Sequence, residues 1–151
     1  MHRFTSPEIS AVRIDGQGNV TSTHEVWRHK RQCPTMSSPL VVGGELYFVS
    51  DLGVLTCLDA ASGEQLYQKR LKGNFSSSPL FADGKLYFCS REGETTVIRP
   101  GREYEELAVN LLSGQLMASP VALDGALLVR SDSHLYRIEK SSADAVSSVD
   151  R

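Results

Sequence analysis

Short apolar runs alternate with glycine-bearing turns along most of the chain, and the gaps between turn signals are too short for helices. "LVV" and "ELYFVS" flank Gly43-Gly44, and "LFA" and "KLYFCS" flank Asp83-Gly84. Aromatic and β-branched residues dominate these flanks, which suits a pleated, half-buried surface. Dipeptides of this kind supply the positive φ angles of type I′ turns, so the pattern predicts antiparallel hairpins with Gly44, Gly84 and Gly125 at positive φ.

The hairpin recurs. "SSPLVVGGELYFVS" (37–50), "SSPLFADGKLYFCS" (77–90) and "ASPVALDGALLVRS" (118–131) align on Pro39, Pro79 and Pro120, at spacings of 40 and 41 residues. A fixed period in this range signals an array of supersecondary units. After the first hairpin the chain predicts a third strand over 54–58, a loop closed by Ser62-Gly63, and a fourth strand over 65–71. The second repeat follows the same plan with "TTVIR", a turn at Pro100-Gly101, and "YEELAVNLL". The third ends after "HLYRIEK", while "ISAVRI", "DGQGN" and "HEVWRHK" at the N-terminus read as a third strand, a turn and a fourth strand.

Four antiparallel strands per period of about 40 residues is the pattern of a propeller blade. The expectation is an all-β partial β-propeller of about three blades and thirteen strands. It divides into a loose N-terminus (1–8), a partial blade (9–31), two full blades (32–72 and 73–113), a partial blade (114–140) and a disordered tail (141–151). Each proline marks entry into an innermost strand, where no ladder hydrogen bond is lost. The expected core between blades is Leu40, Leu46, Phe48, Leu55, Leu80, Leu86, Phe88, Val97, Leu127, Val129 and Leu135.

Composition narrows the function. A net charge of −2 argues against nucleic acid as a partner. The one basic cluster, "RHKR" at 28–31, reads as the solvated end of a strand. No run approaches the roughly 20 apolar residues of a membrane span. "MHRFTSPEIS" carries no apolar stretch resembling a signal peptide, so the chain as it stands is expected to be soluble and untargeted. A piece of a longer parent would read the same way, and its compartment stays open.

The candidate chemistry is sparse. Cys33, Cys57 and Cys89 are odd in number and widely spaced, which suits neither a disulfide framework nor a metal site. Cys57 and Cys89 sit in apolar strands as small buried hydrophobes. His24 and His29 are five apart, on opposite faces of a regular strand, so a shared metal is not expected. "DGQGN" lacks the acids of a calcium loop. "NVT" (19–21) and "NFS" (74–76) fit a glycosylation acceptor pattern that matters only in a eukaryotic secretory setting. Ser37-Ser38, Ser77-Ser78 and Ser119 have no nucleophile elbow around them and are expected to bond local backbone near the channel. No catalytic, cofactor-binding or metal residue is expected.

"CLDAASGEQLY" (57–67) resembles the repeat of quinoprotein-type propellers, A-x-D-x-x-T-G-x-x-x-W. Asp59 and Gly63 match, while Cys57, Ser62 and Tyr67 replace Ala, Thr and Trp. "VRIDGQGNVTSTHEVW" follows the same logic and ends on Trp27. The ensemble, over about residues 9–140, resembles the C-terminal part of a PQQ-like repeat protein. That resemblance implies a turn between third and fourth strands with an aromatic packed between neighbouring blades. Such domains occur in bacteria as secreted or periplasmic proteins, as assembly-factor-like scaffolds, and fused to serine/threonine kinases. In the family's dehydrogenases PQQ lies in the channel with Ca²⁺, beside a catalytic Asp and a disulfide of adjacent cysteines. This chain has no adjacent cysteines and no matching acidic pair, so those roles have no positions to occupy.

An incomplete ring leaves open edges and faces. The sequence therefore points to a non-enzymatic scaffold or protein-interaction module without a cofactor, which engages a protein partner or self-associates, most simply as a homodimer. The suggested joint pairs "HLYRIEK" with "HEVWRHK" of another copy, with Trp27 as apolar anchor. The alternatives are part of a PQQ-dependent dehydrogenase, with PQQ and calcium as cofactors, and the sensory propeller of a kinase-related protein.

Overall fold

The computed structural model describes residues 6–140. The expected tail 141–151 lies outside the described residues, as do residues 1–5 of the expected loose N-terminus. Among the described residues there are thirteen strands and no helix, arranged as four antiparallel sheets. Strands β1 (Ile9–Val12) and β2 (Glu25–His29) form a half-blade. The first full blade comprises β3 (Leu40–Val42), β4 (Glu45–Val49), β5 (Val54–Asp59) and β6 (Gln65–Arg70). The second comprises β7 (Leu80–Ala82), β8 (Lys85–Cys89), β9 (Glu94–Arg99) and β10 (Glu105–Leu111). A trailing blade holds β11 (Val121–Leu123), β12 (Ala126–Arg130) and β13 (Leu135–Glu139). This is a partial β-propeller.

The hairpin turns follow their residues, with one correction. Asp83-Gly84 and Asp124-Gly125 have φ of 48°, 68°, 41° and 78°, positive at both central positions as a type I′ turn requires. In the first hairpin Gly43 has φ 64° and Gly44 does not share the positive region. Positive φ at the first central residue alone marks a type II′ turn, which suits a hairpin's twist equally well and which two glycines permit.

Apolar runs such as "LYFV" are continuous because each of the two full blades has a neighbour on both faces. On β4, Leu46 pairs across from Leu58 and packs toward the half-blade with Phe48, Ile9 and Trp27. The alternate residues Tyr47 and Val49 pair with Cys57 and Leu55 and pack toward the second blade, against Leu86, Phe88 and Ile98. Cys89, Leu116 and Val129 join the second blade to the trailing one. Each such fully buried Leu or Phe contributes about 1.5–3 kcal/mol through apolar burial.

Most of the expected core is buried, and Leu40, Leu80 and Leu127 are half-buried. Leu135 is the exception, at 72% exposed. It pairs with Arg130, on the face opposite Leu127 and Val129, where the described residues include no further blade.

The crossovers between blades are held by hydrogen bonds that recur with the sequence period. Phe75 N donates to Asp51 O (2.9 Å) and Leu116 N to Arg91 O (3.2 Å), tying each crossover to the blade it leaves. Arg91 N donates to Asn74 O (2.7 Å) and Asp132 N to Gln115 O (3.0 Å), tying it to the blade it enters. Gly53 and Gly93 let the outgoing chain come this close. A Cβ on Gly53 would lie 2.7 Å from Gly73 O, and one on Gly93 2.9 Å from Gly114 O and nearer still to Leu112 O.

Candidate functional site

Three places combine polar or open apolar groups: the serines at the inner strands, the turn after β5, and the uncovered face of the trailing blade. The serines divide their work. Ser37 Oγ donates to Val49 O (3.1 Å) and Ser77 Oγ to Cys89 O (2.8 Å), the local backbone bonds expected from the sequence. The second serine of each pair works differently. Ser78 Oγ accepts from Ser38 N and Ser119 Oγ accepts from Ser78 N, each at 2.9 Å, so these hydroxyls bridge from blade to blade. The inner ends of three successive blades are thereby joined in one ladder.

The turn after β5 is built on Asp59. Its Oδ1 accepts from Ala61 N, Ser62 N and Ser62 Oγ at 3.0–3.1 Å, and its Oδ2 accepts from Arg102 Nη1 at 3.0 Å. Arg102, then the Ser62 amide and hydroxyl, hold the carboxyl down at about 2. Arg102 belongs to the second blade, so the motif's aspartate also ties two blades together. The aromatic position of the motif behaves alike. Trp27 Nε1 donates to Ala60 O (3.0 Å), and a Cβ on Gly63 would sit 2.6 Å from the indole ring. Tyr67 makes an edge contact with Tyr104, centroids 5.9 Å apart.

Trp27 therefore does not serve as an anchor offered to another copy. It is seated on its own first blade, whose Gly63 leaves room for the ring.

The remaining candidates are structural. His24 contacts Thr23 and Asp15, whereas His29 bonds Arg31 O and packs on Phe48; the two do not converge. All three cysteines are buried and free. Burial raises their thiols, that of Cys57 to about 11, the reverse of an activated nucleophile. Arg28 of the basic cluster pairs with Glu8 and Glu25. Among the described residues no three His, Cys, Asp or Glu gather as a metal site, and no helix is long and apolar enough to cross a membrane. Two open hollows of about 290 and 250 Å³ lie beside Cys33 and Asp51, and beside Met117 and Arg130. Both fall below the usual size of a small-molecule site.

The uncovered face is the feature that sequence reasoning located only in outline. Cross-strand pairing places Val121 with Leu128 and Leu123 with Ala126 on the side away from the second blade. Val121 and Leu123 are 54% and 46% exposed. Their counterparts in the first blade, Leu40 and Val42, pack against the core shared with the second blade. Among the described residues the trailing blade thus presents an inter-blade surface with no blade against it. The signal was the repeat itself, because positions in phase with a buried pair are apolar for the same purpose.

Comparison with known proteins agrees with this architecture. The family model described as outer membrane protein assembly factor BamB matches residues 16–102, more than half of the chain. Among solved structures, BamB from Moraxella catarrhalis superposes with a TM-score of 0.65 at 18% identity, covering 76% of this chain and 36% of that one. A europium-containing methanol dehydrogenase gives 0.55 at 13% identity, covering 71% and 22%. A quinohemoprotein alcohol dehydrogenase from Pseudomonas putida HK5 gives 0.53 at 15%, covering 62% and 16%. At these identities the likeness is one of fold, and the chain spans about a third of the Moraxella protein's length. No curated protein matches. A 40-residue blade period, an Asp-anchored turn with its inter-blade aromatic, and the family match over 16–102 lead to one conclusion: the chain belongs to the PQQ-like propeller family described by the outer membrane protein assembly factor BamB.

Proposed function

We propose that the chain is a non-enzymatic propeller scaffold that acts by making protein contacts through its open blade faces and edges, with a second copy as one such partner. The observation that carries this reading is the use of the polar side chains at the blade joints. Ser78, Ser119, Asp59 and Arg102 are each spent on joining one blade to the next. Catalytic sites break local rules at a few positions, whereas here Ser38, Ser78 and Ser119 recur with the repeat. The apolar face of the trailing blade adds a surface of the kind that marks protein association. The family's assembly-factor member supports the same direction.

The rival reading, a piece of a PQQ-dependent dehydrogenase, draws on the likeness to the two dehydrogenase structures. The two readings separate in one assay. The purified chain is mixed with PQQ and Ca²⁺, and cofactor absorbance and alcohol-dependent dye reduction are followed. A scaffold shows neither a shifted, saturable absorbance nor turnover; either one would overturn the reading. The sensory-domain alternative differs in what lies next to the chain in its gene, which sequencing upstream of Met1 decides.

A further inference from the structure

The two ends of the blade array are complementary. We infer that copies of the chain join head to tail: the β11–β12 hairpin of one copy completes the β1–β2 half-blade of the next, and Ser119 N donates to Ser38 Oγ across the joint. This rests on the scaffold reading and names its partner as another copy of the chain.

Three observations meet here. The first is the serine ladder. Ser38 N donates to Ser78 Oγ and Ser78 N to Ser119 Oγ, one step per blade. Among the described residues, Ser119 N and Ser38 Oγ make no hydrogen bond, and they are the donor and acceptor that the next step requires.

The second is the pair of faces. Val121 and Leu123 lie on the surface that, in the first blade, packs toward the following blade. At the other end Val41, 56% exposed, pairs across from Leu46 on the surface that receives a preceding blade. Among the described residues the half-blade beside it holds two strands, which leave it open. Outgoing and receiving surfaces of one repeat fit each other as successive blades do, which is a heterologous contact.

The third is the strand inventory. Among the described residues, the half-blade holds the third and fourth strands of a blade, and the trailing blade holds the first three. One of the two third strands must yield, and β13 is the weaker. Leu135 is 72% exposed, and Tyr136 is the β13 residue packed on the core. The half-blade is held by Ile9 and Trp27 on Leu46, Phe48 and Leu58. His134 also stands in phase with Gly53 and Gly93, where a following strand brings backbone carbonyls close to the Cβ position. The trailing blade is thus shaped against a fourth strand beside β13, which disfavours the β13–β2 pairing that the sequence suggests.

The test uses two full-length variants whose altered side chains are more than half exposed, so that each folds: Val121→Lys at the outgoing end and Val41→Lys at the receiving end. Sedimentation velocity is expected to show each alone as a monomer. An equimolar mixture is expected to form a 1:1 dimer, because each variant keeps the end that the other lost. Association of Val41→Lys at wild-type strength, with Val121→Lys monomeric, would mean a like-with-like joint and overturn the inference. So would a mixture that stays monomeric. Ser38→Ala, which keeps the Ser38 amide donor, is expected to weaken association about fivefold without altering the monomer. In hydrogen exchange on the wild type, Ile9–Val12 amides gain protection on association and Leu135–Glu139 amides lose it; the opposite pattern contradicts the shared blade. A wild-type chain that stays monomeric and shows no PQQ-dependent activity sinks the joint alone, whereas dye reduction with PQQ sinks the scaffold reading.

Discussion

Replacing Gly93 by alanine should be far more costly than replacing Gly125, although both have positive φ. Gly93 has φ 89°, and a Cβ there lies 2.9 Å from Gly114 O and closer to Leu112 O, both backbone atoms that cannot swing aside. Left-handed strain costs about 1–2 kcal/mol. Moving the crossover also disturbs Leu112 N→Gly93 O (3.0 Å) and Gly93 N→Ser90 O (3.2 Å), at about 1 kcal/mol each. The expected loss is about 3–4 kcal/mol. Gly125, at φ 78°, has nothing within 4 Å of its Cβ position, so only the strain of about 1–2 kcal/mol applies. Urea unfolding followed by circular dichroism measures the difference. With a slope of about 1–3 kcal/mol per molar for a small domain, the two midpoints should stand about 1 M apart. Equal midpoints would show that the close approach of crossover to blade does not exist, and with it the phased joints would fall.

Leu86→Ala, at a fully buried position, should cost about 2–5 kcal/mol by the same unfolding assay, while Leu135→Ala should cost almost nothing. A loss below about 1 kcal/mol at Leu86 would mean that the β8 register is wrong. Ser78→Ala removes the acceptor for Ser38 N and should lower stability by about 1 kcal/mol. The Asp59 carboxyl should titrate near pH 2 by NMR. Its folded value lies below the ordinary one of 3.8, so the stability it lends is present above about pH 4 and is lost as pH falls toward 2. Arg102→Ala should move that midpoint upward, and an unmoved midpoint would contradict the inter-blade ion pair. The Cys57 thiol, held up at about 11, should resist alkylation at pH 8 until the protein unfolds.

Much of the fold was legible because it is periodic. Pro39, Pro79 and Pro120 set the phase, and the dipeptides after them set the hairpins. The Gly44 expectation failed because a glycine pair permits either of two turn types, and sequence does not choose between them. Leu135 failed for a different reason. Its apolar character speaks for a neighbour that the described residues do not include, so pattern alone assigns it to a core. Ser78 and Ser119 were read as bonding locally because a single sequence shows that a hydroxyl recurs without showing that its partner lies one blade away. Gly53 and Gly93 carry no mark in the sequence that sets them apart from ordinary turn glycines. Their meaning appears only when the outgoing chain is seen to cross them, and the replacement of that position by His134 in the last repeat was the available clue. Trp27 was assigned to a neighbouring molecule because strand counting left its surroundings undefined, whereas the Gly63 turn already held a place for it.

The account rests most heavily on the claim that the open blade faces join one copy of the chain to the next. Sedimentation velocity of the wild-type chain, over a concentration series reaching tens of micromolar, tests it directly. The account predicts a mass that rises above the 16.6 kDa of one chain with concentration and falls back in Val121→Lys. A single 16.6 kDa species at every concentration, unfolding cooperatively as a stable monomer, would contradict it.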